Sequence, residues 1–328
     1  MEAPGHKNYS IMAAGYLHNR KDFPDLIRII EGETNIVAGL IEKDYWIMHV
    51  LYGLKKLGYD FELKGGTSLS KAYKIIDRFS EDIAIHIKPP AAMRVNENPN
   101  NTKPNNVAAR KAFYDWLAVN IKIDGIERTE RDLNFDNDAG TSGGIRLFYH
   151  SYFPAIAGVK EGILLEAGFD AVTPNSPLTV SSWTYDKAAQ NAKIELIDNR
   201  AADIKCYDHR YTFVEKLQTI ATKFRKEQES GVESQNFMRQ YYDVYSLLAD
   251  PQIQEFLGTD AYLQHKQKRF PNADFAIPVN KNQAFLLDDE VIRARFKERY
   301  QLTGTLYYRG QPEFEQVMQR IRAYIDRM

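Results

Sequence analysis

Apolar residues along the chain recur with two periods, and the change from one to the other marks out the elements. Over residues 22–57 the spacing is helical. Ile36, Leu40, Ile41, Tyr45, Ile47, Met48, Leu51 and Leu54 form a broad apolar face, and Gly58 is placed to end the run as a C-cap. Residues 59–63 read as a short strand. Thr67-Ser68 then opens a second helical run through Leu69, Ala72, Tyr73 and Ile76. The chain returns with period two at Ile83, Ile85 and Ile87, a strand that should lie beside the first. The Pro- and Asn-rich stretch 89–106 reads as a long loop, either a mobile excursion or a cover for what precedes it. A helix is expected over 107–123. Alternating, turn-bounded strands are expected over 145–152, 162–171, 178–185 and 194–207.

From residue 211 the period is helical again. Phe213, Leu217, Ile220 and Ala221 make one face, and Phe237, Tyr241, Val244, Tyr245 and Leu248 another. Further helices fit 288–302 and 312–327. The pattern predicts a mixed α/β (α+β) fold, with a sheet-bearing lobe and its N-terminal helices over 1–208 and a helical lobe over 209–328.

Composition narrows this only a little. The 328 residues are 44% hydrophobic and 27% charged, enough for a substantial core. A formal net charge of −1 gives no global basic field, so a nucleic-acid partner would have to meet a local patch. The single cysteine, Cys206, excludes an internal disulfide framework and reads as a small buried residue in a reducing, cytoplasmic setting. Residues 1–10 lack the apolar run of a secretory signal, and no apolar stretch is long enough to cross a bilayer.

The chemistry concentrates in Lys64-Gly65-Gly66-Thr67-Ser68 and Arg78-Phe79-Ser80-Glu81-Asp82-Ile83-Ala84. Paired glycines before a helix allow backbone N–H groups to face an anion. Period two places Asp82 and position 84 on one strand face, where carboxylates could bridge Mg²⁺, but position 84 is Ala. Glu166 is a carboxylate inside the apolar run Leu164-Leu165-Glu166-Ala167 and reads either as a third acidic ligand or as a solvent-facing edge charge.

Other residues carry weaker signals. Lys71, one turn into the glycine-turn helix, reads as a phosphate contact or a solvated lysine. His86, on the face of position 84, reads as a hydrogen-bonded histidine before a metal ligand. Lys216 alone reads as a solvated helix lysine, and Asp243 as a surface carboxylate paired with Arg239 one turn earlier. Lys223, Arg225, Lys226, Lys266, Lys268, Arg269 and the basic run 293–299 form local basic stretches. Tyr241, Tyr242, Tyr245 and Phe270 lie among them as possible stacking rings.

Residues 64–85 resemble the AbiEii/AbiGii-type toxin family of nucleotidyltransferases, within the polymerase β-like superfamily. The family's Gly-Gly-Ser/Thr turn matches Gly65-Gly66-Thr67-Ser68. Its Ser-x-Asp-x-Asp matches Ser80-Glu81-Asp82-Ile83-Ala84, except for the last carboxylate. Glu42-Lys43-Asp44-Tyr45-Trp46, Glu215-Lys216-Leu217 and Arg239-Gln240-Tyr241-Tyr242-Asp243-Val244-Tyr245 follow in family order.

The resemblance implies an NTP donor, Mg²⁺, a tRNA 3′ end as acceptor, a separately encoded antitoxin and a place in phage defence. It assigns Asp82, position 84 and Glu166 to the metal. Gly65, Gly66, Thr67, Ser68 and Lys216 go to the nucleotide, and Lys216 and Asp243 to catalysis; Arg78 and Ser80, just before Asp82, read by position as braces of the carboxylate before contacts to the nucleotide's phosphates. Ala84 departs from the family at its most diagnostic position. It fits either a deliberately disabled copy of a toxic enzyme or a natural pseudoenzyme that binds nucleotide without turnover.

Overall fold

The computed structural model describes residues 14–156, 158–170, 172–191 and 195–328. Residues 1–10, and the expected strand positions 171 and 194, lie outside the described residues. Helix α1, Phe23–Thr34, carries Pro24 in its first turn and stops at Asn35, whose left-handed backbone (φ 59°) turns the chain. Helix α2, Ala38–Lys56, is buried along most of its length, which is why its apolar face is so broad. Strands β1 (Phe61–Lys64), β2 (Asp82–Ile87), β3 (Ile126–Asp132), β4 (Ser142–Tyr149), β5 (Ile163–Gly168), β6 (Asn175–Val180) and β7 (Ala201–Tyr207) form one sheet in the order β3-β4-β5-β2-β1-β7-β6. The β2–β5 and β1–β7 pairs are parallel and the other pairs antiparallel. The fold is therefore mixed α/β, with a seven-stranded mixed sheet.

Strand β2 alternates as its sequence requires. Ile83, Ile85 and Ile87 are fully buried, while Asp82, Ala84 and His86 remain partly open on the opposite face. Helix α3, Pro104–Asn120, packs on β3 and β4. After α4 (Trp183–Ala189) and β7, the chain becomes helical: α5 (His209–Ser230), α6 (Met238–Leu247), α7 (Pro251–Phe256), α8 (Asp260–Arg269), α9 (Glu290–Gln301) and α10 (Phe314–Tyr324). Its core is built on Phe237, Tyr241, Phe296 and Phe314, whose rings meet edge-on or tilted.

The structure departs from the expected elements in instructive places. The helix expected over 67–76 ends at Ala72. A turn Gly65–Thr67 widens into a π-turn Ser68–Ala72, and Lys74 (φ 57°) reverses the chain so that Ile76 reaches the core. Strand β3 has no apolar alternation because it is the sheet's edge, where Glu127, Arg128 and Glu130 are exposed. The run 178–185 is not one strand. It breaks after Val180, and Ser182 caps α4 by accepting the Tyr185 N–H at 3.1 Å. In the 194–207 run, strand pairing with β6 starts only at Ala201. The loop before α3 is tied down by fully buried Arg110, which donates to the carbonyls of Asn96, Asn98 and Asn101.

Candidate functional site

Register, not sequence proximity, assembles the site. Lys64 of β1 pairs with Ala84 of β2, Ala84 with Glu166 of β5, and Glu166 with Gly144 of β4. Paired residues share a face, so Asp82, position 84 and Glu166 lie together on the open face of the sheet's central strands. The turn Gly65-Gly66 leaves β1 beside them. Gly65 has φ +74°, and its missing Cβ would lie 3.6 Å from Ala84 Cβ. A Cβ on Gly66 would come within 2.6 Å of Ser80 Oγ and 3.0 Å of Arg78 Nη2. Thr67 is buried and donates to the Asp82 carbonyl at 2.5 Å, with Ser80 Oγ 3.1 Å away. Ser68 is buried as well, and its hydroxyl has no hydrogen-bond partner among the described residues.

The two carboxylates resist ionising where they stand. Burial pushes Asp82 up, with Glu81 adding to the shift and Lys160 and Lys43 opposing it. Burial likewise raises Glu166, with the Asp82 charge as its next cause. Asp82 Oδ1 is buried without a hydrogen-bond partner, while Oδ2 lies 3.4 Å from Lys160 Nζ. An orphaned carboxylate oxygen beside a second crowded carboxylate is a donor set that fits a hard divalent cation. Asp82 and Glu166 are the residues that would hold one; the Ala84 methyl offers no ligand. Beyond them opens a cleft lined by Lys64, Asn137, Thr141, Ser142, Glu166 and Asp170.

A buried ion cluster joins the approach to β2 to the helical part. Asp243, fully buried, takes Arg78 through two bonds of 2.6 and 2.7 Å and Lys216 Nζ at 2.8 Å. Burial alone would raise the Asp243 carboxyl, but Arg78 and Lys216 outweigh it and hold it below its ordinary range. Lys216 also donates to Gln240 Oε1 at 2.9 Å. Asp243 does not pair with Arg239, as helix spacing alone suggests. Arg239 instead reaches buried Glu81 at 3.4 Å. Arg78 spends its remaining contact on the Phe79 carbonyl and is 4% exposed, so the structure uses it as a brace between β2's approach and α6.

Several sequence candidates are committed elsewhere. Lys71 is neither solvated nor free for phosphate: it pairs at 2.5 Å with fully buried Asp44. His86 sits between Glu62 at 2.6 Å and Glu97 at 3.3 Å, a hydrogen-bonded histidine. Tyr241 donates to the Ala284 carbonyl, Tyr242 accepts the Asp77 N–H, and Phe270 is buried; these rings pack the core and do not stack bases. Arg225, Arg269, Arg293 and Arg299 are paired with Asp274, Asp170, Glu315 and Glu227. Cys206 is buried and its thiol is pushed up to about 12 by that burial, as befits an inert residue.

Sequence reasoning missed Lys43, Lys160 and the role of Glu81, whose partners are remote in sequence. It also missed His18, His49 and Asp124, whose ligand atoms cluster within 4.8 Å. There each ring nitrogen is already engaged: His18 with Tyr45 and Asp124, His49 with Asn199 and the Asp124 carbonyl. That network ties the segment before α1 to α2.

The family model for the nucleotidyl transferase AbiEii toxin, type IV toxin–antitoxin system, matches residues 49–320. The match takes in the glycine turn, Asp82, Glu166, Lys216 and Asp243, and begins after the Glu42–Trp46 block. No curated protein matches the chain. Among solved structures, an antigenic nucleotidyltransferase-like protein from Paracoccidioides brasiliensis is 14% identical over 69% of this chain and 86% of that one. Its TM-score of 0.34 is too slight a likeness to bear on fold or function. No helix among the described residues is long and apolar enough to cross a membrane. With a family match over most of its length, the chain belongs to the AbiEii nucleotidyl transferase toxins of type IV toxin–antitoxin systems.

Proposed function

We propose that this chain is built to transfer the nucleotidyl group of an NTP to a hydroxyl, that of a tRNA 3′ end, in the cytoplasm. One observation carries the reading: Asp82, position 84 and Glu166 share a sheet face beside the Gly65-Gly66 turn, and Arg78, which packs against Gly66, is held with Lys216 by one buried carboxylate, Asp243. The turn's backbone N–H groups and Lys216 hold the triphosphate, with Ser80 at the turn's flank. Asp243 keeps Lys216 extended toward it. Mg²⁺ on Asp82 and Glu166 would neutralise charge that builds on the phosphates. The acceptor oxygen attacks the α-phosphorus and gives up its proton to solvent, the bond to the β-phosphate oxygen breaks, and pyrophosphate leaves. The family implies an antitoxin that restrains the active form.

Ala84 removes one carboxylate from this arrangement, so the chain as it stands should turn over slowly, by about 100-fold or more relative to an aspartate at that position. The deciding experiment is incorporation of each α-labelled NTP into total tRNA by this chain and by Ala84→Asp. Label appearing with the aspartate supports the reading. No label with either, despite NTP binding, points to the second reading that Ala84 favours, a nucleotide-binding pseudoenzyme, or to a protein acceptor. RNA binding indifferent to Gly66 and Asp82 substitutions would make the chain an interaction module instead.

A further inference from the structure

Glu42, Lys43 and Asp44 are consecutive, charged and all buried. Between them they hold two segments, the 150–162 connection from β4 to β5 and the start of α4. Glu42 accepts from Ser151 Oγ and the Tyr152 N–H, Asp44 accepts the Trp183 N–H, and Lys43 donates to the Lys160 carbonyl. From the other side, buried Glu81 accepts the Lys160 N–H at 2.9 Å. Two buried charges therefore grip the backbone of a single residue, a costly arrangement unless that residue's side chain must be aimed. Its ammonium lies 3.4 Å from Asp82 Oδ2 and 4.4 Å from the centre of the Phe135 ring. At 3.4 Å the contact is longer than a strong charge-assisted hydrogen bond, so Lys160 retains donor capacity. Burial pulls Lys43 down to about 8, with Glu81 and Asp82 opposing it, which fits a lysine kept for its geometry.

We propose that Lys160 is a polyphosphate-binding residue of the donor site, aimed by Lys43 and Glu81 as positioning residues. The assignment rests on the nucleotidyl-transfer reading above. In the free protein the ammonium balances Asp82. Once a divalent cation shares that carboxylate, the ammonium loses its counter-charge, and the nucleotide's phosphate oxygens are the anions that replace it.

The test is calorimetric titration of the full chain with inorganic tripolyphosphate in the presence of Mg²⁺, which removes any dependence on the base. Lys160→Met should weaken binding about ten-fold, while Lys160→Arg stays within roughly three-fold of the parent. Lys43→Met should weaken it in the same direction, and the Lys43→Met/Lys160→Met pair should bind no worse than Lys160→Met alone. Unchanged binding by Lys160→Met, or fully additive losses in the pair, would overturn the assignment while leaving the donor site intact. A parent chain that binds neither tripolyphosphate nor any NTP overturns the donor site and Lys160 together. Should Lys43→Met not fold, Lys160→Met against Lys160→Arg decides, since Lys160 is partly open to solvent and its melting midpoint should stay near the parent's.

Discussion

Asp243 carries two cations at once, and the consequences of removing its charge follow from burial. Asp243→Asn would leave Arg78 buried without its counter-ion, at a cost of about 3–5 kcal/mol in urea unfolding. Because the folded Asp243 carboxyl sits below its ordinary range, its contribution is complete above the ordinary carboxylate range and drains away as pH falls through the folded value. Stability measured against pH should therefore fall on the acid side in the parent and flatten in Asp243→Asn. Lys43 gives a slope of the same sign, but on the alkaline side and from a penalty on its buried charge rather than a gain. Its folded value of about 8 lies below the ordinary 10.5, so the folded state binds fewer protons between the two and stability gains from this group as pH rises through that window. Lys43→Met should abolish that gain; an alkaline profile superimposable on the parent's would mean Lys43 is not the buried ammonium described here.

At the scale of elements, the glycine turn makes a sharper demand than its sequence motif suggests. Gly66→Ala would drive a Cβ against Ser80 Oγ and Arg78 Nη2, and should cost about 1–3 kcal/mol even before any ligand is considered. Gly65→Ala would place a side chain at φ +74°, costing about 1 kcal/mol with less crowding. Thermal melts of the two variants should rank Gly66→Ala below Gly65→Ala; the reverse order would show that conformation, not contact, fixes the turn.

The same turn shows what a sequence can and cannot reveal. Strand β2 was legible because one face is buried and the other open, and that alternation alone put Asp82 and Ala84 together. Glu166 stood out as a charge in an apolar run, but its pairing with position 84 is a matter of register across strands 82 residues apart, which no local pattern encodes. Strand β3, an edge with charged faces, gave no periodic signal at all. Arg78–Asp243 and Lys71–Asp44 were equally invisible, since both are ion pairs between residues far apart in sequence.

On the scale of the whole molecule, the change from sheet to helices near residue 208 suggests two lobes, yet the contacts across it are of the kind that bind them into one. Arg78 and Glu81, flanking the start of β2, are bonded to Asp243 and Arg239 of α6. The Phe79 N–H donates to the Leu306 carbonyl, and Lys64 and Arg269 share Asp170. These are largely buried polar contacts, and a lobe that separated would expose their partners unpaired. We therefore expect calorimetry of the full chain to show a single transition despite its two-lobed sequence. Arg78→Ala should lower that one midpoint as a whole, because Asp243 then keeps only Lys216 and the helical lobe loses its firmest hold on the sheet. Two resolved transitions in the parent, with Arg78→Ala moving only one, would show instead that the lobes fold separately. In that case the donor site is assembled by docking, and nucleotide should stabilise both transitions by bringing the carboxylate face and the Asp243 cluster together.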